Sequence, residues 1–179
     1  DIHLSNKKII RFNDPRRFGC FVWVGKQPEK HKLICHLGLE PLEKDFRGEY
    51  LYKLSKYRKT NIKAFIMNAH VVVGVGNIYA NEALFLSGIH PKRRANNIGQ
   101  KRYQNLAHCI KSILTKSIEM GGTTLRNFSF TYGEEKIGYF KQSLFVYGRD
   151  GEKCGSCGTA IRRIVLSGRG TFYCRKCQR

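Results

Sequence analysis

Residues 154–178 read CGSCGTAIRRIVLSGRGTFYCRKCQ, two C-x2-C pairs, Cys154/Cys157 and Cys174/Cys177, with sixteen residues between them. Each pair places two thiols on one small turn, and a separation of roughly 15 to 20 residues is the spacing of a closed tetrahedral four-cysteine zinc site. One structural Zn2+ is the implied cofactor; two disulfides, or four unrelated buried thiols, are the competing readings. The intervening residues are β-rich from Ala160 to Leu166 and again from Thr171 to Cys174, so the stretch reads as strands with the cysteine pairs at their turns. Arg162, Arg163, Arg169, Arg175 and Lys176 make the same stretch strongly basic, which points to a nucleic-acid-binding module. Cys20, Cys35 and Cys109 follow no spacing. They are expected to be reduced core thiols, in keeping with a cytoplasmic, nucleoid-associated compartment.

The charge of the whole chain agrees with that partner. Its 179 residues carry 33 Lys and Arg against 13 Asp and Glu, a formal charge of +20, and the isoelectric point is about 9.9. Self-repulsion on that scale calls for a polyanion to offset it. A content of 41% hydrophobic and 12% aromatic residues excludes a disordered tail. No run of about twenty apolar residues and no basic amphipathic helix argues for a membrane. The opening Asp1-Ile-His-Leu-Ser-Asn-Lys-Lys has neither an initiating Met nor a secretory pattern, and it reads as a start from which upstream sequence is missing.

Outward from the cysteines, the pattern changes twice. Residues 7–12 and 20–24 are β-rich runs around a loop, Asn13 to Gly19. From about residue 42 the spacing turns helical, with Leu51, Leu54, Ile62, Phe65 and Ile66 on apolar faces. Asn77 to Leu86 reads as a helix stopped at Gly88 with Pro91 beyond, and Leu106, Ile110, Ile113, Leu114 and Ile118 mark one face of a longer helix closed by Gly121-Gly122. From Leu144 strands return, beginning with Leu-Phe-Val-Tyr. The fold class is therefore α+β.

Three further motifs bear on chemistry. Val73-Gly-Val-Gly-Asn77-Ile-Tyr79 lies between helices and lacks the third glycine of a dinucleotide fingerprint. It offers backbone N–H groups and the Asn77 amide to a phosphate, or it is a tight turn with no ligand. Asp14-Pro-Arg16-Arg17-Phe18-Gly19 presents two guanidinium groups and an aromatic ring, tools for reading a base edge and entering a base stack; a solvated turn with Phe18 in a core is the alternative. Arg58-Lys59-Thr-Asn-Ile-Lys63 sets cations at a helix entrance, toward phosphate or toward water.

Taken together, DPRRFG, GVGNIYANEALF followed by GIHP, GGTTLRNF, GYF, VYGR and the terminal cysteine segment strongly resemble the formamidopyrimidine-DNA glycosylase family. The resemblance runs from the first strand to the last residue. It implies residues 1–25 as the tail of an N-terminal β-sandwich lobe, 42–142 as a helix-two-turns-helix domain centred on Gly74 to Asn77, and 143–179 as a zinc hairpin. It also assigns roles. Arg16 would read the cytosine opposite the lesion and Phe18 would fill the gap left by a flipped base. Lys59, Lys63 and Asn77 would bind phosphates or stand near the lesion, and 130–139 would form the loop over the flipped base. Arg169, at the hairpin tip, would grip the flanking phosphates and take part in the second elimination by stabilising charge, because a guanidinium is a poor acid. Gly170 stands where the family usually carries Ala or Ser.

The activity implied is base-excision repair of oxidised purines, 8-oxoguanine and formamidopyrimidines, in double-stranded DNA opposite cytosine, by a monomer. In the family an N-terminal proline amine attacks the sugar, releases the base and cleaves the strand by β- and δ-elimination through an imine. The resemblance places that proline, an adjacent glutamate and a hairpin lysine upstream of Asp1, leaving this chain as the DNA-binding part. Two alternatives remain: a non-catalytic zinc-bearing module that binds damaged DNA, and an endonuclease VIII-like glycosylase for oxidised pyrimidines.

Overall fold

The apolar spacing of Tyr103, Leu106, Ala107, Ile110, Ile113 and Leu114 becomes the buried face of α4, Gln100–Glu119, in a computed structural model that describes residues 1–15, 17–120 and 144–179. The described residues fall into two units, Asp1–His36 and Leu37–Arg179. In the larger unit α1, Gly48–Ser55, and α3, Asn77–Leu86, pack on α4, and the short α2, Ile62–Ile66, packs on α3. Their shared core is Phe46, Leu51, Ile62, Phe65, Ile66, Ala80, Leu84, Tyr103, Leu106 and Ile110, all nearly inaccessible to water. Each large side chain there stabilises the fold by about 1.5–3 kcal/mol. Tyr103 enters this core because its hydroxyl donates to Ala95 O at 2.8 Å, which satisfies its polar end.

Two glycines permit the packing. A Cβ on Gly48 would lie 2.3 Å from the backbone of Gln104, so α1 crosses α4 with no room for a side chain. Gly74 has φ +75°, and the turn it makes delivers the chain from the Leu39/Val72 bridge into α3. Asn61 caps α2, its Oδ1 accepting from Ala64 N at 2.8 Å.

The cysteine segment follows as an antiparallel hairpin, β3 Arg162–Leu166 and β4 Arg169–Tyr173, in register from Arg162↔Tyr173 to Leu166↔Arg169. Ser167 and Gly168, at φ +49° and +72°, form a two-residue loop of the primed kind that matches strand twist. The smaller unit holds a second hairpin, β1 Ile2–His3 with β2 Ile9–Ile10, and a 3-10 turn at Pro28–Lys30. The architecture is α+β.

Several expectations change. Of the β-rich runs, only Ile9–Ile10 is strand and 20–24 is not, because β propensity forms a ladder only where a partner strand is available. Residues 144–147 form bends and the start of a turn rather than a strand; the N–H groups of 145–147 are taken by Glu82, as described below. Leu54 and Ile118 belong to the helical stripes, yet Leu54 is exposed and Ile118 is 65% exposed, each lying at the margin of its apolar face. Cys20 and Cys35 are exposed, so among the three unpatterned thiols only Cys109 is buried. The GGTTLRNF motif and residues 130–139 lie outside the described residues. Among those described, no helix is long and apolar enough to cross a membrane.

Candidate nucleic-acid interface

The four thiols of Cys154, Cys157, Cys174 and Cys177 all lie within 4.8 Å of one another, with Cys154–Cys177 at 3.9 Å and Cys157–Cys174 at 3.4 Å. A tetrahedral zinc with bonds of about 2.3 Å sets sulfurs about 3.8 Å apart, so the donor set fits that ion. Hydrogen bonds from Thr159 hold the Cys157 thiol well below its ordinary pKa, while burial, and then its three sulfur neighbours, push Cys177 up to about 12. Four thiolates this close repel one another until a cation stands between them.

The hairpin is fastened to the helices by buried polar side chains. Lys63 on α2 is 1% exposed, and its Nζ donates to Gly170 O at 2.8 Å and Thr171 Oγ1 at 2.7 Å. Thr171 in turn donates to Arg169 O at 3.1 Å. On α3, Asn81 accepts from Phe172 N through Oδ1 at 2.8 Å and donates through Nδ2 to Asn77 O at 2.7 Å. Gln178 accepts from Cys174 N and donates to Ile89 O, both at 2.9 Å. Glu82, 3% exposed, accepts from the N–H groups of Phe145, Val146 and Tyr147 at 2.6–2.9 Å. A buried carboxylate with three backbone donors is satisfied without a counter-ion.

The tip of the hairpin and the start of α2 enclose a cleft of about 200 Å³ lined by Asn61, Lys63, Ala64, Met67, Leu166, Ser167 and Arg169. Arg169 is exposed. Burial, and then the charge of Arg169, lower the pKa of Lys63 from 10.5 to about 8. Two cations therefore converge on one small cleft in which, among the described residues, no acidic side chain takes part, an arrangement that suits a phosphate.

The structure brings Lys63 and Arg169 together. Lys59 lines a neighbouring cleft with Tyr57, Arg58, Thr60 and Asn68, sharing Ala64 with the first. Asn77 lines neither; its Oδ1 is buried and, among the described residues, has no hydrogen-bond partner. Arg16 lies outside the described residues. Phe18, in the smaller unit, is 84% exposed, on a loop closed by Asp14, which accepts from the N–H groups of Arg17 and Gly19. Sequence reasoning missed Asn81, Glu82, Thr171 and Gln178. The legible signal was the Asn81-Glu82 pair inside the otherwise apolar run of α3.

These elements define a helical domain carrying a four-cysteine hairpin. A family model described as the formamidopyrimidine-DNA glycosylase H2TH domain matches residues 37–129, and one described as the zinc finger found in FPG and IleRS matches residues 151–179. A formamidopyrimidine-DNA glycosylase of Marinobacter nauticus is 52% identical over all 179 residues, and one of Escherichia coli O6:H1 is 50% identical. The chain spans 65% of the length of each. The MutM (Fpg) protein of Thermus thermophilus superposes with a TM-score of 0.78 at 34% identity, over 92% of this chain and 62% of that one. A Lactococcus lactis Fpg mutant, G226P, bound to Fapy-dG-containing DNA, superposes at 0.73 with 35% identity, over 80% and 52%. The chain belongs to the formamidopyrimidine-DNA glycosylase family, and its four cysteines are the ligands of one structural zinc ion.

Proposed function

We propose that this chain is the DNA-gripping part of a glycosylase that removes oxidised purines, 8-oxoguanine and formamidopyrimidines, from double-stranded DNA opposite cytosine, and then cleaves the strand by β- and δ-elimination. The observation that carries the reading is Lys63, buried beneath the hairpin and bonded to Gly170 and Thr171, with Arg169 exposed above the same cleft. A phosphate seated there meets the exposed Arg169 guanidinium and lies in the field of the Lys63 ammonium buried beneath it, with both supports fixed in advance, so little entropy is lost on binding. Arg169 stabilises the charge that develops on the phosphate as the strand is cut, and zinc holds the hairpin that carries it. Lys59 contacts backbone phosphate from the adjoining cleft, and Asn77 does so from the start of α3. Arg16 reads the cytosine opposite the lesion, and Phe18 occupies the space left by the flipped base. The division at 1–25, 42–142 and 143–179 belongs to the same reading, as does a monomer working in the bacterial cytoplasm.

Relatives named formamidopyrimidine-DNA glycosylase support this proposal, as do neighbours solved with Fapy-dG, abasic-site and carbocyclic 8-oxo-G DNA. The test is borohydride trapping on a duplex with 8-oxoguanine opposite cytosine, using the chain and the same chain extended upstream to the length of its relatives. A covalent adduct with the extended protein alone is the expected result. An adduct with neither, alongside tight binding, marks a non-catalytic module, and trapping only on oxidised pyrimidines marks the endonuclease VIII-like activity.

A further inference from the structure

The strand that begins at the Arg169 tip ends at Tyr173, where the His90 ring meets the Tyr173 ring edge-on at 4.7 Å. Beside it lies an open concavity of about 720 Å³ lined by His90, Lys92, Arg93, Arg94, Asn97 and Arg179. Among the described residues no acidic side chain lines it. Among the described residues the side chains of Lys92, Arg93 and Arg94 make no hydrogen bond or ion pair, and all three are exposed. Cations normally scatter or pair with carboxylates; here three gather with no acidic side chain among the described residues beside them.

The loop that carries them is held on three sides. Ile62 N donates to Arg93 O at 2.7 Å, and Ala95 N donates to Thr60 O at 2.9 Å, tying it to the entrance of α2. Arg102 on α4 donates to Gly88 O and to Arg179 O, each at 2.8 Å. Gln178 holds Ile89 O from the base of the zinc hairpin. His90 Nδ1 accepts from Lys92 N at 3.2 Å, which leaves Nε2 as a donor in the neutral ring. Burial, and then Lys92 and Arg93, keep the His90 pKa below its ordinary value; burial, and then Arg93, do the same to Arg102. The main-chain oxygen of Arg179 is already shared between His90 N and Arg102.

We infer that this concavity is a second phosphate-binding site, which takes a backbone phosphate of duplex DNA away from the hairpin tip. The choice of duplex over a small phosphate rests on position. Four residue steps along β4 separate Arg169 from Tyr173, about 13 Å, close to four base-pair rises of about 3.4 Å. A duplex running along β4 meets the tip cleft at one end and this site at the other. The contact carries no sequence or lesion information; it adds affinity and fixes register.

The test uses the whole zinc-loaded chain, its Lys92→Ser/Arg93→Ser/Arg94→Ser variant and its Arg169→Ala variant, on a lesion-free duplex and on inorganic phosphate. In the unaltered chain, duplex should shift the backbone amide resonances of 90–97. In the triple variant the dependence of log affinity on log salt should become shallower by about 0.9 for each phosphate no longer neutralised, with zinc content unchanged. Shifts at 90–97 that persist in Arg169→Ala support the site even where lesion preference fails, which separates it from the function proposed above. Shifts with inorganic phosphate but none with duplex would overturn the DNA assignment. An unchanged salt slope with no shift from either ligand would overturn the site.

Discussion

The described residues contain two antiparallel hairpins, and they differ in almost everything except strand direction. The hairpin of β1 and β2 pairs two residues on each side, leaves Ile2, Ile9 and Ile10 39–50% exposed, and is helped by an exposed ion pair, Arg11 with Asp1 at 2.7 Å. The hairpin of β3 and β4 pairs five residues on each side and has Thr171, Tyr173 and Cys174 buried. β propensity does not separate them, since Lys-Lys-Ile-Ile-Arg-Phe is as β-rich as Arg-Arg-Ile-Val-Leu. What separates them is attachment. One is fastened by four thiols, Lys63, Asn81 and Gln178, whereas an exposed ion pair of the Asp1 kind is worth about 0–1 kcal/mol.

The largest test of that contrast is removal of the metal. Structural zinc contributes about 10–16 kcal/mol in small zinc domains, so chelation, or Cys174→Ser, should abolish hydrogen-exchange protection across 162–173 while leaving residues 2–10 and the core of α4 unaffected. Equal loss in both hairpins would show that zinc acts on the whole chain. Next comes Glu82→Leu, which strips the acceptor from three N–H groups at about 1–3 kcal/mol each; denaturant unfolding of the larger unit should shift accordingly, and an unchanged midpoint would mean those groups find other partners.

Lys63→Met is smaller, about 1–3 kcal/mol for two oxygens left without their buried donor, and it carries a pH signature. The native pKa, about 8, lies below the ordinary 10.5. The unfolded chain therefore binds that proton more tightly, and stability from this site rises between pH 8 and 10.5. Duplex affinity moves the other way and falls as pH passes through about 8 and the ammonium loses its charge. Both trends should vanish in Lys63→Met, and a profile identical to that of the unaltered chain would remove Lys63 from the site. The smallest effect is Val165→Thr on β3, 65% exposed, for which thermal unfolding should report no more than about 0.5 kcal/mol.

The same contrast explains what could be read from the sequence. The metal site was legible because thiol spacing is itself the geometry, and α3 and α4 were legible because apolar period and Gly stops agreed. No strand forms at 20–24 or 144–147 despite their β-rich composition, because pairing depends on partners that composition does not display. Lys63 is legible as a cation at a helix entrance, yet its burial against Thr171 is a contact across 108 positions that no local pattern carries. Asn81 and Glu82 stood in plain view as polar residues in an apolar helix, and only the packed hairpin shows what they hold.

The function proposed for this chain rests on Arg169 and Lys63 acting as one phosphate grip on a zinc-held hairpin. The most direct measurement is the affinity of the zinc-loaded chain, and of Arg169→Ala with its zinc content verified, for a duplex carrying an abasic-site analogue opposite cytosine and for an undamaged duplex at one fixed salt concentration. The prediction is a preference for the abasic duplex that falls about tenfold in the variant, a loss of about 1.4 kcal/mol. Equal affinities of the two proteins for both duplexes would contradict it.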